Sequence, residues 1–260
     1  MKALRFLSLT LALVTGLTFT SCMSDDDDST YSGVYYTICK LKQSMGYYYL
    51  VTSSGVIIYP TTSSMSTLES SADDGVVSSM VGHVVLFCYY AELDGTETTS
   101  IDDVTAYAII DMQDELVEVE YEGADNDVEE NAPIVSLYRD NITPYFFDSS
   151  TIILPVEYYL DSTVHNLTLV YYPDETEGST ITLHLRHDLG DDTDVNTGDN
   201  TTYYWANYSV LYTYTYYRAF DLSDVLDDVT PSIIKIAYKQ STGLDLDKAT
   251  ELEYNVTYTY

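Results

Sequence analysis

Residues 35–60 read YYTICKLKQSMGYYYLVTSSGVIIYP, and this stretch determines the fold prediction. Apolar and polar side chains alternate over residues 35–42, 47–52 and 56–59, as they do in half-buried strands. Ser44-Met45-Gly46 and Ser53-Ser54-Gly55 supply turn residues between the three runs, and Pro60 ends the third. The stretch therefore predicts a three-stranded meander.

Two further apolar segments extend this meander. Residues 61–71 are polar and are typical of a loop or a short helix, whereas residues 81–92 are strongly apolar. Residues 104–122 predict one more strand or a bent pair of strands. Five strands in this order fit a small closed barrel such as the OB-fold, which we assign to residues 34–123.

A second β-domain is predicted for residues 131–260. Glycine, asparagine and proline residues between 123 and 133 indicate a boundary, and turn clusters then separate six or seven short strands. Strands with this spacing are typical of an antiparallel β-sandwich. Residues 222–229 are compatible with a short helix or a loop. The predicted fold class is therefore all-β, with an OB-like five-stranded barrel followed by a β-sandwich.

The N-terminus has the features of an export signal. Lys2 and Arg5 precede an uncharged apolar run that is too short to cross a bilayer. Ser21-Cys22 then resembles a lipobox, with Phe19 where leucine is commonest. We expect residues 1–21 to be removed and Cys22 to carry the lipid, because several acyl chains on one residue hold a protein at a membrane durably.

An acidic tether follows the predicted lipidation site. Residues 22–33 contain four consecutive aspartates, 25–28, and a run of like charges repels itself and stays extended. The run resembles the signal that marks surface-exposed lipoproteins of Bacteroidetes. It predicts a lipid-anchored protein of the outer membrane, displayed at the cell surface. A solvated spacer on a lipoprotein facing the periplasm is the alternative.

The charge and the tyrosine content limit the classes of partner. The formal net charge is −32, which opposes binding to nucleic acid and to anionic lipid surfaces and favours cationic partners or divalent ions. The chain contains 28 tyrosines but one tryptophan and 6 phenylalanines. Tyrosine is favoured in strands and on exposed sheet faces, so this composition supports an all-β fold first and sugar binding second.

Several segments together resemble the NigD-like lipoproteins. They are the lipobox with its acidic run, GYYYL at 46–50 through Tyr59-Pro60, HNLTLVY at 165–171, LHLRHD at 183–188 and FDLS at 220–223. The resemblance covers nearly the whole exported chain. It implies an OB-like domain followed by a β-sandwich, and it implies no established biochemical activity.

Cysteine and histidine chemistry is limited in this sequence. Cys39 and Cys88 lie in apolar strands that are neighbours in an OB-like barrel, which leaves open a disulfide or two buried thiols. His184 and His187 are three residues apart, and on a strand they point to opposite faces rather than toward a shared metal ion. We expect His187 to hydrogen-bond loop backbone.

The polar segment at residues 188–200 is a weak calcium candidate. Asp192, Asp194 and Asn196 have the alternate spacing of a calcium loop, but Thr197 and Tyr203 occupy the positions where glycine and glutamate are needed. A solvated acidic hairpin tip explains the segment better. Ser29 and Ser162 each lie in an Asp-Ser-Thr triplet that resembles the O-glycosylation sites of exported Bacteroidetes proteins.

No catalytic motif occurs: the sequence lacks G-x-S-x-G, a Walker loop, H-E-x-x-H and G-x-G-x-x-G. We therefore predict a non-enzymatic surface lipoprotein without a cofactor, acting as an adaptor or accessory binding subunit. The alternative is a glycan-binding module of a surface uptake system. It depends on the tyrosine-rich residues 203–217, where one strand face could stack sugar rings or pack inside a sheet. The face in question is formed by Tyr204, Tyr208, Tyr212, Tyr214 and Tyr216.

Overall fold

The computed structural model describes residues 31–71, 76–93, 99–121, 128–138, 141–159, 165–188, 213–241 and 246–260. The chain divides into two compact units, Met1–Met112 and Gln113–Tyr260. Strands dominate both units, which confirms the all-β prediction. None of the helices in the described part of the chain is both long and apolar enough to span a membrane.

The first unit is a closed five-stranded barrel. Its elements are β1 (Tyr31–Ser44), β2 (Tyr47–Thr52), β3 (Ile57–Pro60), α1 (Thr62–Ser71), α2 (Val76–Ser79), β4 (Val84–Leu93) and β5 (Ser100–Asp111). The strands follow the order β1-β2-β3-β5-β4, and β4 pairs with β1 to close the ring. Only the pairing of β3 with β5 is parallel among the barrel pairs. The OB-like five-stranded barrel predicted from the sequence is therefore confirmed.

Alternation along the barrel strands separates an interior from an exterior. Leu50 and Ile58 pair across β2 and β3 and are almost fully buried, as is Phe87 on β4. The turn between β1 and β2 fixes the register of that pair, in which Ser44 faces Tyr47, because Met45 and Gly46 have φ angles of 51° and 83°. Two successive positive φ angles form the type I′ turn that suits a tight hairpin.

The second unit is one eight-stranded sheet with the order β13-β12-β10-β9-β6-β11-β8-β7. Helix α3 (Ser223–Asp228) confirms the helical alternative for residues 222–229. The strands are β6 (Gln113–Glu118), β7 (Tyr145–Phe146), β8 (Thr151–Tyr159), β9 (Asn166–Tyr171), β10 (Thr180–Asp188), β11 (Thr213–Asp221), β12 (Ile233–Gln240) and β13 (Thr250–Thr257).

The sheet differs from the predicted antiparallel β-sandwich in its pairing. The pairs β6–β9, β6–β11 and β10–β12 are parallel, so the sheet is mixed. Strand β6 lies between β9 and β11, whereas the sequence pattern assigns its residues to the barrel domain at 34–123. The boundary between the units falls between Met112 and Gln113 rather than at residues 123–131.

The two edges of the eight-stranded sheet come together through aromatic rings. Phe146 on β7 packs against Tyr258 and Tyr260, with ring centroids 5.0 and 5.9 Å apart. The hydroxyl of Tyr258 also donates a hydrogen bond to the carbonyl of Ser149 at 2.9 Å. The sheet is therefore nearly closed around its own core, which includes Leu154 and Phe220.

Candidate functional site

Three tyrosines lie together on the exterior of the barrel. Tyr49 on β2 is directly opposite Tyr59 on β3, because Leu50 pairs with Ile58 and the strands are antiparallel. Their ring centroids are 6.2 Å apart and their planes meet at 30°. Tyr47 lies two residues along β2 and therefore shares the face. We call Tyr47, Tyr49 and Tyr59 the tyrosine face.

The tyrosine face is open to solvent. Tyr47 is 66% exposed and Tyr59 is 41% exposed, and Tyr49 between them is half-buried. Leu50 and Ile58, on the opposite side of the same strands, are at most 1% exposed. The barrel core therefore takes its stability from the other face of these strands. Large rings that the core does not use are available for contact with a partner.

Polar groups of both signs border the tyrosine face. Lys42 pairs with Tyr49 in the β1–β2 register, so its side chain is on the same exterior face. On the other side, β5 pairs with β3, and the exposed Asp102 accepts a hydrogen bond from the Ser100 hydroxyl at 3.4 Å. The face thus has an ammonium donor along one border and the carboxylate of Asp102 along the other.

The second unit contains a buried pair of histidines. Nδ1 of His165 and Nε2 of His187 are 2.8 Å apart, and the two side chains are 4% and 2% exposed. His187 Nδ1 lies 3.2 Å from the carbonyl of Pro133, which can only accept a hydrogen bond, so His187 donates there. The prediction that His187 bonds loop backbone is confirmed, and its Nε2 then accepts the proton of His165 Nδ1.

Burial holds His187 in its neutral form. Loss of solvation lowers its pKa to about 3, and the neighbouring His165 lowers the pKa further than the carboxylate of Asp188 raises it. The ring of Tyr158 stacks on His165 with centroids 5.3 Å apart. Arg218 donates a hydrogen bond to the Tyr158 hydroxyl at 3.3 Å and contributes positive charge to the same region. These groups form a packed polar core.

His184 lies on the opposite face of β10 from His187, as the strand spacing predicts. Its Nε2 is 2.7 Å from Oε2 of Glu175, and its ring meets the edge of Tyr172 at 5.1 Å. Arg186 donates a hydrogen bond to the Tyr172 hydroxyl at 2.5 Å. Within the described residues, no three histidine, cysteine, aspartate or glutamate side chains are grouped as a metal site requires.

The two barrel cysteines, Cys39 and Cys88, are free thiols in the structure, which contradicts the disulfide alternative. Their strands are neighbours as predicted, but Cys39 pairs with Val85 and Cys88 pairs with Tyr36. An offset of three residues places the two side chains on opposite faces of the barrel wall. Burial raises the pKa of both thiols, and that of Cys39 most strongly.

We expect neither thiol to react rapidly in the folded protein, because the thiolate is the reactive form. In the Cys22→Ser protein, a maleimide should modify Cys88 slowly and Cys39 only after unfolding. Mass spectrometry of the labelled peptides measures both rates. The assignment would be contradicted if the protein, kept without reductant, had a mass two hydrogens lower than that of the dithiol form. Equal and rapid labelling of both residues would also contradict it.

Other predicted positions lie outside the described residues. These are the lipidation residue Cys22, the calcium candidates Asp192, Asp194 and Asn196, and the glycosylation candidates Ser29 and Ser162. Most of the tyrosine-rich residues 203–217 also lie outside, although Tyr214 and Tyr216 belong to strand β11. These interpretations remain predictions.

Two solved structures share the fold of this chain. One is a candidate lipoprotein from Bacteroides fragilis, with 20% identity and a TM-score of 0.65, covering 87% of this chain and 99% of that one. The other is a NigD-like immunity protein from Bacteroides caccae, with 15% identity and a TM-score of 0.53, covering 87% and 98%. The predicted resemblance to NigD-like proteins is thus confirmed at the level of the fold.

Comparisons of sequence alone give no further relative. No protein-family model matches the chain. No curated protein matches it significantly.

Proposed function

We propose that this chain is a non-enzymatic lipoprotein of the outer membrane that acts at the cell surface as an adaptor or accessory binding subunit. The observation that carries the proposal is the tyrosine face, a group of three large side chains that the barrel core does not use, two of them exposed and one half-buried. Exposed apolar groups that polar residues border mark sites of interaction with other molecules. The signal sequence, Cys22 and the acidic run supply the motivation for the location.

The most buried histidines also support a binding role. The facing nitrogens of His165 and His187 form a hydrogen bond with each other, and the second nitrogen of His187 donates to the carbonyl of Pro133. Both residues are also buried, at 4% and 2% exposed, whereas a general base needs a nitrogen within reach of a substrate proton. The fold that this chain shares with a candidate lipoprotein from Bacteroides fragilis is consistent with a role in the envelope.

The location is tested in the native host with two variants. Cys22→Ser should release the protein from carbonate-washed membranes, because the acyl chains are the expected anchor. Alanines at residues 25–28 should keep the lipidated protein but protect it from protease added to intact cells. Membrane retention of Cys22→Ser, or equal protease sensitivity of the wild type and the alanine variant, would contradict the proposal.

The accessory role is tested on the intact lipoprotein. After extraction of host outer membranes with mild detergent, the wild type should elute in a complex larger than one chain and its detergent micelle. Purified protein that has been lipidated in a foreign host provides the size reference. Elution of the native protein at the reference position would exclude a stable subunit role while leaving the anchoring result unaffected.

A further inference from the structure

We infer that the tyrosine face binds a neutral oligosaccharide. This inference rests on the proposed binding role and names its ligand class. Strands β2 and β3 with the turn between β1 and β2 form the face on which OB-folds bind oligonucleotides and oligosaccharides. A net charge of −32 opposes the binding of an oligonucleotide. Of these two ligand classes, the charge therefore permits the saccharide.

The rings form a row of apolar surfaces on the exterior of the barrel. Tyr49 and Tyr59 are held side by side by the β2–β3 register, with a centroid distance of 6.2 Å and an angle of 30°. Tyr47 extends the row along β2 by two residues, which is about 7 Å. A tyrosine ring offers an apolar surface with a hydroxyl at its rim, so it can cover a pyranose face while hydrogen-bonding at its edge.

The borders of the face explain why the saccharide should be neutral. A sugar hydroxyl both donates and accepts hydrogen bonds, and the face offers the ammonium of Lys42 on one side and the carboxylate of Asp102 on the other. A uronic acid or sulfate would meet Asp102 and the surplus negative charge of the chain. A neutral oligosaccharide meets no such repulsion and can form hydrogen bonds at both borders.

The experiment uses the full mature chain made soluble by Cys22→Ser. An array of neutral and acidic oligosaccharides identifies ligands, and titration calorimetry with the strongest neutral ligand measures Kd. We expect at least a tenfold weaker Kd for Tyr49→Ala and for Tyr59→Ala, and a near-wild-type Kd for Tyr49→Phe, because the ring is retained. Tyr107→Ala is the matched control, since Tyr107 is a 58% exposed tyrosine on β5.

Three outcomes overturn the inference. They are the absence of any neutral ligand with a Kd below about 1 mM, binding of acidic oligosaccharides alone, and neutral binding that survives the Tyr49→Ala, Tyr59→Ala double variant. Circular dichroism establishes that each variant is folded before its Kd is compared. The membrane, protease and complex-size measurements use the lipidated protein in its host, so loss of the sugar result leaves the proposed function standing, and the converse also holds.

Discussion

Phe87→Ala is expected to lower the free energy of unfolding of the barrel by about 3–5 kcal/mol, while the amides of the second unit keep their protection. Phe87 is fully buried, and its ring stacks on Tyr89 with centroids 5.3 Å apart. Removing the ring leaves a cavity in a small core. Since a domain of this kind is stable by about 5–15 kcal/mol in total, the loss is a large share of its stability.

Hydrogen exchange followed by mass spectrometry measures this effect in each unit. Peptides from β1 and β4 should lose protection in Phe87→Ala, whereas peptides from β8 should not. Phe220→Ala, in the separate core of the second unit, should give the reverse pattern. Tyr107→Ala provides an exposed aromatic control, with a change within about 0.5 kcal/mol. Equal loss of protection in both units after Phe87→Ala would show that the two cores unfold together.

The barrel could be predicted from the sequence because its first strands pair with their neighbours along the chain. Its first three strands are joined by tight turns, so neighbours along the chain are neighbours in the sheet. Alternation then assigns the interior side, which for Leu50 and Ile58 agrees with the structure. The polar segment after Pro60 forms helix α1, one of the two alternatives that its composition allowed.

The second unit could be predicted only as a set of strands. Alternation indicates which face of a strand is buried, but it does not indicate which strand lies beside it. Strand β6 follows β5 after a single residue, Met112, so the chain gives no turn signal at the true boundary. Its place between β9 and β11 depends on contacts with residues more than fifty positions away.

The candidate site was overlooked although its signal was present. Counting outward from Ser53-Ser54-Gly55 pairs Tyr49 with Tyr59, and the neighbouring Leu50 and Ile58 indicate that the two rings face outward. The density of tyrosines favours residues 203–217 instead. The His165–His187 contact had no comparable signal, since the two histidines are 22 residues apart and meet only when β9 and β10 pair.

Acidification is expected to destabilise the second unit through His187. Its pKa is about 3 in the folded protein and 6.5 without burial, so between these values the unfolded chain binds a proton that the folded chain does not. Stability must therefore fall as the pH falls from 6.5 toward 3, by about 1.4 kcal/mol for each pH unit. Between pH 7.5 and pH 4.5 this amounts to about 2.5 kcal/mol.

The surroundings of His187 explain why the proton is excluded. Loss of solvation is the main cause, and the nearby His165 and Arg218 lower the pKa as well. The hydrogen bond to the Pro133 carbonyl and the charge of Asp188 raise the pKa, but they do not offset the burial. A second proton on His187 would place a charge in a site whose hydrogen bonds are arranged for a neutral ring.

The test is the pH dependence of urea unfolding in wild type and His187→Gln, because an amide can both accept and donate without titrating. The variant is expected to be less stable at pH 7.5 but to lose about 2.5 kcal/mol less than the wild type on acidification to pH 4.5. Taking the difference between the proteins removes the common effect of acid on the self-repulsion of a chain with net charge −32. Parallel pH profiles for wild type and His187→Gln would mean that His187 takes up its proton as readily in the folded protein as in the unfolded chain.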